Sequence, residues 1–245
     1  MHNTLSYKSY LKSPFLSIKH NTYFEVYDTL FSKYIGKEII FVEVGILDGG
    51  SLFMWREFFG KKARIIGIDL NPNAKKWEEH GFEIFIGSQS DVSFLNDFIE
   101  KVGPIDILLD DGGHTFEQQI TTTECLISNI KDGGMLVVED THTSYMKGFG
   151  PKKYSFIEYT KIMFDKINFR FGALKNDKED RRVWSIECFE SIVAFKVNRP
   201  FSAIISECTE NNGSRDEKKA IDFRHSENSS FISFKSIAKK LRIHK

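Results

Sequence analysis

The sequence predicts an α/β fold: a doubly wound, mostly parallel seven-stranded sheet with a terminal antiparallel hairpin. Three observations carry this. Five strand-length apolar runs rich in Ile and Val recur between residues 38 and 140, helix-length segments separate them, and two further runs at 182–198 follow one another almost directly. Continuous apolar strands belong to a sheet covered on both faces, and helix-length crossovers make their pairing parallel. Two adjacent strands without a helix between them pair as a hairpin.

Residues 1–20 are polar and aromatic without a clear period and read as an arm. In "YFEVYDTLFSKYI" (23–35), Phe24, Tyr27, Leu30, Phe31 and Tyr34 recur at spacings of three and four, an amphipathic helix that completes an N-terminal unit over 1–36. The central domain spans 37–200, with strands at 38–45, 64–70, 82–87, 105–111 and 134–140 and helices near 51–59, 73–80, 91–101, 116–130 and 154–168. "RVWSIECFE" and "SIVAFKVN" then close the sheet. Residues 201–245 form a polar extension low in core formers. Near its end, Phe231, Phe234, Ile237, Ala238 and Leu241 share one helical face opposite Lys and Arg, a face suited first to packing within the chain or in a homo-oligomer and otherwise to an acidic membrane surface.

Composition narrows the function classes. Among 245 residues, 34 Lys and Arg balance 34 Asp and Glu, which argues against a nucleic-acid partner bound through a basic surface. Cys125, Cys188 and Cys208 are odd in number and never in a CxxC spacing, the pattern of a reducing compartment without a disulfide framework or zinc site. No run approaches membrane-spanning length and the first residues lack an apolar leader core, so the expectation is a cytoplasmic protein without a membrane span.

The chemistry concentrates at strand ends. "VEVGILDGGS" (42–51) follows the first strand and opens a helix, with Glu43 two residues before Gly45 and with Gly49 and Ser51 behind. Glycine allows a sharp turn and close approach to a ligand. Leu47 stands where the dinucleotide fingerprint needs its second glycine. Glu43 suits a ligand carrying a cationic amino group. Asp69, at the tip of the second strand, is placed to accept from both hydroxyls of a ribose. Ser88 and Gln89 in "GSQSD" are placed for an adenine, and Ser90 or Asp91 for capping the next helix.

The fourth strand ends in "ILLDDGGH" (107–114) and the fifth in "VVEDTH" (137–142). Carboxylates that converge stay ionised only around a cation, and all-oxygen ligands favour a hard ion, Mg2+ first. A metal-bound hydroxyl is acidified, and His114 is then a competent base for its proton. Thr115 and Gln118 also form a capping box, so part of this stretch serves a helix start.

"VEVGILDGGSLFMW", "GIDLNP", "GSQSD", "DDGGH" and "VEDTHTSY", in this order and spacing, resemble the metal-dependent sugar O-methyltransferases of the macrolide-sugar type, over roughly residues 20–200. Some related sequences carry the label cephalosporin hydroxylase, and others act in surface-polysaccharide pathways. The resemblance implies a Rossmann-like class I methyltransferase fold, S-adenosylmethionine as donor, Mg2+, and a sugar or nucleotide-linked sugar as acceptor. Carried over by motif, it puts the metal on Asp111, Glu139 and Asp140, the general base at His114, and donor binding at Tyr23, Glu43, Gly45, Gly49, Ser51, Asp69, Ser88, Gln89 and Asp110. It suggests that His142 and Tyr145 line the acceptor pocket. Gly113 departs from the family's usual Ser and is expected to free the His114 loop and widen that pocket. Two rivals are a nicotinamide-dependent sugar oxidoreductase or epimerase, which lacks its glycine fingerprint, and a non-catalytic scaffold, which has no reason to confine so much charge.

Overall fold

The apolar runs become strands of one sheet: β1 (Ile40–Val44), β2 (Arg64–Asp69), β3 (Glu83–Ile86), β4 (Ile105–Asp110), β5 (Ile130–Val138), β6 (Ser185–Phe189) and β7 (Ile192–Lys196). In the computed structural model, which describes residues 3–174 and 179–214, their order is β3-β2-β1-β4-β5-β7-β6. β1 to β5 pair in parallel, and β7 inserts antiparallel between β5 and β6. The expected fold class is therefore the observed one. Two compact units divide the chain at Ser206, and the fold described here belongs to the first. The amphipathic segment at 231–241 lies outside the described residues.

Alternation along the strands sends side chains to two cores. On one face, α2 (Tyr23–Phe31) and α3 (Gly50–Phe59) cover Phe41, Ile65, Ile107, Leu109 and Val137. On the other, α4 (Val92–Val102), α5 (Phe116–Leu126) and α6 (Phe156–Asn168) cover Val42, Val44, Leu108, Leu136 and Val138. Tyr27, Phe31, Phe41, Trp55 and Phe59 form the centre of the first core, with ring centroids 5.0 to 6.4 Å apart. Fully burying such a side chain contributes roughly 1.5–3 kcal/mol. The expected caps form: Asp91 opens α4, and Thr115 with Gln118 opens α5 as a reciprocal box.

Three differences from expectation have local causes. The arm contains α1 (Leu5–Leu11), too short to show a period. Thr4 caps it, and Asp28 of α2 accepts from the Leu5 and Ser6 N–H groups, so a partner helix supplies its first-turn hydrogen bonds. Pro72–His80 winds as a 3-10 segment in place of a full helix, tied down by Trp77 and Ala74. A short helix, α7 (Arg199–Ser202), follows β7 and is capped by Asn198.

Gly45 links the sheet to the site. Its φ is +82°, and a Cβ there would meet the Asp111 carbonyl oxygen at 2.3 Å. Only glycine lets the turn after β1 pass this close to the end of β4. Gly45→Ala combines left-handed strain with a backbone clash and is expected to cost about 2 to 5 kcal/mol of stability in chemical denaturation. Unchanged stability would show that the turn relaxes freely.

Candidate functional site

Strand register brings the acidic tips together. Val44 lies beside Asp110, and Asp110 beside Val138. The ladder continues one step further, with Asp111 N–H donating to Val44 O and Glu139 N–H to Asp110 O, both at 2.9 Å. Gly45, Asp111 and Glu139 therefore emerge at one height on the carboxyl edge of the sheet, where ligands of open α/β sheets bind. A cavity of about 500 Å³ opens there, lined among others by Gly45, Asp69, Gln89, Asp111, His114 and Asp140.

The residues expected at the donor divide into two groups. Asp69 faces the cavity while one carboxylate oxygen accepts from Ile46 N–H at 3.0 Å and the other from Asn71 N–H at 2.8 Å. It thereby shapes the glycine turn and keeps lone pairs for hydroxyl donors. Gln89 also lines the cavity, but its carboxamide is a bracket, donating to Asp110 and Thr122 and accepting from Gly113 N–H at 2.8 Å. Glu43, Ser51 and Asp110 are buried, and their bonds run inward. Glu43 accepts from Ser51 Oγ at 2.6 Å and Trp55 Nε1 at 3.1 Å. Gly49 caps α3 with φ +77°, and Ser88 Oγ accepts from Ser90 N–H. At Gly113 the Gln118 side chain lies 2.4 Å from where a Cβ would sit, so a side chain there would have to displace Gln118.

The cationic amino group facing Glu43 belongs to the chain itself. Lys19 Nζ lies 2.6 Å from Asp111 Oδ2, 3.1 Å from Glu139 Oε2 and 3.6 Å from Glu43 Oε1, with its side chain only 2% exposed. Burial alone would push its pKa down, yet Asp111 and Glu139 hold it well above the ordinary lysine value. Glu139 is pushed up by burial, against the pull of Lys19, and its other oxygen accepts from Tyr27 OH at 2.6 Å. Burial likewise raises Glu43, and raises Asp110 to about 7.

Asp140 is more open than Glu43 or Glu139. Its Oδ2 is 3.2 Å from His114 Nε2, and Tyr23 OH donates to its Oδ1 at 2.5 Å. Assigning each hydroxyl one donor role gives a chain from His142 Nδ1 through Ser191 Oγ to Tyr23 OH and on to Asp140. Tyr23, placed by resemblance near the donor, thus meets Asp140. Tyr145 is 73% exposed and lines neither this cavity nor the smaller one described below. His114, Asp140, Ser191 and Leu47 all have positive φ. They are the described non-glycine residues in that region and all surround the site, which stores backbone strain where ligands are expected.

Ligand atoms of Asp111, His114 and Asp140 lie within 4.8 Å of one another. Two carboxylates beside a third acid suit a hard divalent ion, and a cation already rests between Asp111 and Glu139 in the form of Lys19. These residues fit a metal of the Mg2+ type. Lys19, Tyr27 and Ser191 were not singled out by sequence. Tyr27 read only as a core position, Ser191 as part of a strand, and Lys19 sits in an aperiodic arm that carries no signal.

Residues 42–141 match a family model described as a methyltransferase domain. A demethylmacrocin O-methyltransferase of Streptomyces fradiae is 35% identical over 51% of this chain and 33% of its own length. A mycinamicin VI 2''-O-methyltransferase of Micromonospora griseorubida is 33% identical over 51% of this chain and 32% of its own. The chain thus spans about a third of the length of these relatives. Among solved structures, the MycE methyltransferase from the mycinamycin biosynthetic pathway, in complex with Mg, SAH and mycinamycin VI, has the same fold. Its TM-score is 0.72 at 24% identity, over 84% of this chain and 55% of that one.

Because the folded pKa of Asp110 exceeds its unfolded value, the native state holds a proton that the unfolded state has lost between about pH 4 and 7. Stability therefore falls as pH rises through that window. Asp110→Asn is expected to flatten this part of the profile in denaturation measured across it, and an unchanged slope would remove Asp110 as its source.

Proposed function

On the premise that residues 42–141 form a methyltransferase domain, we propose that the chain transfers a methyl group from S-adenosylmethionine to a sugar hydroxyl with the help of Mg2+. The observation that carries this is the convergence of Asp111, Asp140 and His114 at the wall of the cavity at the sheet's carboxyl edge. The relatives support the choice of acceptor class, since the names of two of them give a rhamnosyl tetracenomycin as the substrate. A surface-polysaccharide precursor is the finer proposal for this chain's acceptor, with an antibiotic-type glycoside as its competitor.

Asp69 and the Gly45 turn form the donor end of the cavity, with Asp69 as acceptor for ribose hydroxyls. Asp111 and Asp140 would hold the metal, with Glu139 behind them as the third acid. When bound, a divalent ion supplies the positive charge that acidifies an adjacent hydroxyl. His114 takes the proton, and Asp140, 3.2 Å from Nε2, stabilises the imidazolium that results. Tyr23, Ser191 and His142 hold Asp140 in place. A bound sulfonium donor would supply the methyl group, its C–S bond breaking and the thioether leaving as the C–O bond forms, and the residues around the cavity would contribute by positioning the two substrates.

His114→Ala and His114→Asn are expected to lower turnover by about 10² to 10⁴-fold while donor affinity, measured by calorimetry, stays unchanged. Normal turnover would take His114 out of the mechanism. EDTA should suppress methyl transfer and Mg2+ restore it, read by mass spectrometry on nucleotide sugars, polysaccharide precursors and glycosides. Methylation of glycosides alone would exclude the polysaccharide precursor, and EDTA-resistant turnover would exclude the metal.

A further inference from the structure

We propose that Lys19 is a tethered competitor of the divalent ion, its ammonium and the ion taking the Asp111 and Glu139 carboxylates in turn. The inference rests on the metal reading above and adds to it a residue outside the expected ligand set.

The geometry argues for exclusion. Lys19 Nζ makes direct ion pairs with Asp111 at 2.6 Å and Glu139 at 3.1 Å. Glu139 has two oxygens; one accepts from Tyr27 and the other from Lys19. While the ammonium is present, both Glu139 oxygens are engaged by these two donors. Among the described residues, the converging group that contains Asp111 is Asp111, His114 and Asp140, without Glu139. Recruiting Glu139 to an ion on Asp111 requires Lys19 to release it. A monocation and a dication sharing the same carboxylate pair also repel each other.

The surroundings allow the exchange. A second cavity, of about 130 Å³, is lined by Ile18, Lys19, Tyr23, Asp111, Glu139 and Asp140, so space adjoins the lysine on the acid side. Residues 15–20 have no regular secondary structure. Upstream they are pinned: the Phe15 ring packs on Trp77 at 4.6 Å between centroids, and Ser17 O accepts from Tyr10 OH. Withdrawal is therefore a movement of the Lys19 stem, with Ile18, which borders both cavities, beside it. In the absence of ion, Lys19 keeps the buried Glu43 and Glu139 and the half-buried Asp111 from facing one another uncompensated. Uptake of the ion would then release Lys19 toward solvent.

The test measures ion binding on the full chain, with Mn2+ as the probe by electron paramagnetic resonance and Mg2+ by calorimetry. Lys19→Met removes the charge and keeps the stem, and is expected to bind either ion about tenfold or more tightly than the parent. Lys19→Arg, which keeps the charge, is expected to remain close to the parent. Metal-free Lys19→Met should melt lower than the parent and gain more from Mg2+. A second measurement uses the parent alone: acylation of Lys19 by an amine reagent, followed by mass spectrometry, should rise when Mg2+ is added. Equal or weaker ion binding by Lys19→Met, or undiminished protection of Lys19 with Mg2+ bound, overturns the competition and leaves the ion site standing. If neither protein binds Mn2+ or Mg2+, the metal reading fails and the competition with it.

Discussion

The site is governed by crowded negative charge. Parallel register delivers Glu43, Asp111 and Glu139 from three neighbouring strands, with Asp140 next in the chain, and two of these acids are fully buried. Two like unit charges at 4 Å repel by about 4 kcal/mol in a protein-like dielectric. A whole domain is stable by only about 5 to 15 kcal/mol, so such a cluster requires positive charge within it. Lys19 supplies one unit. The remaining deficit is the physical ground for proposing a harder, doubly charged partner at this site.

The rest of the architecture holds that cluster in shape. Gln89 ties the end of β3 to the buried Asp110 and to the loop carrying His114. The Gly45 turn passes against the Asp111 carbonyl, and Asp69 fixes that turn through Ile46. The left-handed backbone at His114 and Asp140 aims the imidazole at the carboxylate. Such conformations cost about 1 to 3 kcal/mol each and persist only where their surroundings impose them. The hydrogen bonds around them do so here.

How much of this the sequence revealed follows from what periodicity encodes. A strand of β-branched residues ending in acids announces both the sheet and the edge at which the acids emerge. The tips Asp69, Asp111, Glu139 and Asp140 were legible for that reason, as were the caps at Asp91 and Thr115. Facing was harder to read. Glu43 sits one residue from Val42 and Val44, and alternation turns it toward α3, where Ser51 and Trp55 bond it. Its expected ligand-facing role overlooked that the tip of a strand still has two faces. Gln89 and Asp110 satisfy each other for a related reason: buried polar groups take the nearest partner. Lys19 was invisible because its place depends on how an aperiodic arm crosses the sheet edge, which tertiary contacts at Phe15 and Ser17 decide. Helix α1 carries no local signal either, since Asp28 of another helix stabilises its start.

The claim on which the rest depends is that a divalent ion completes this charge cluster. Anomalous diffraction from crystals grown with Mn2+ and S-adenosylhomocysteine tests it most directly. A manganese peak in contact with both the Asp111 and Asp140 carboxylates, within reach of His114, is the expected result. Ordered S-adenosylhomocysteine in the cavity with no manganese between those acids would contradict it.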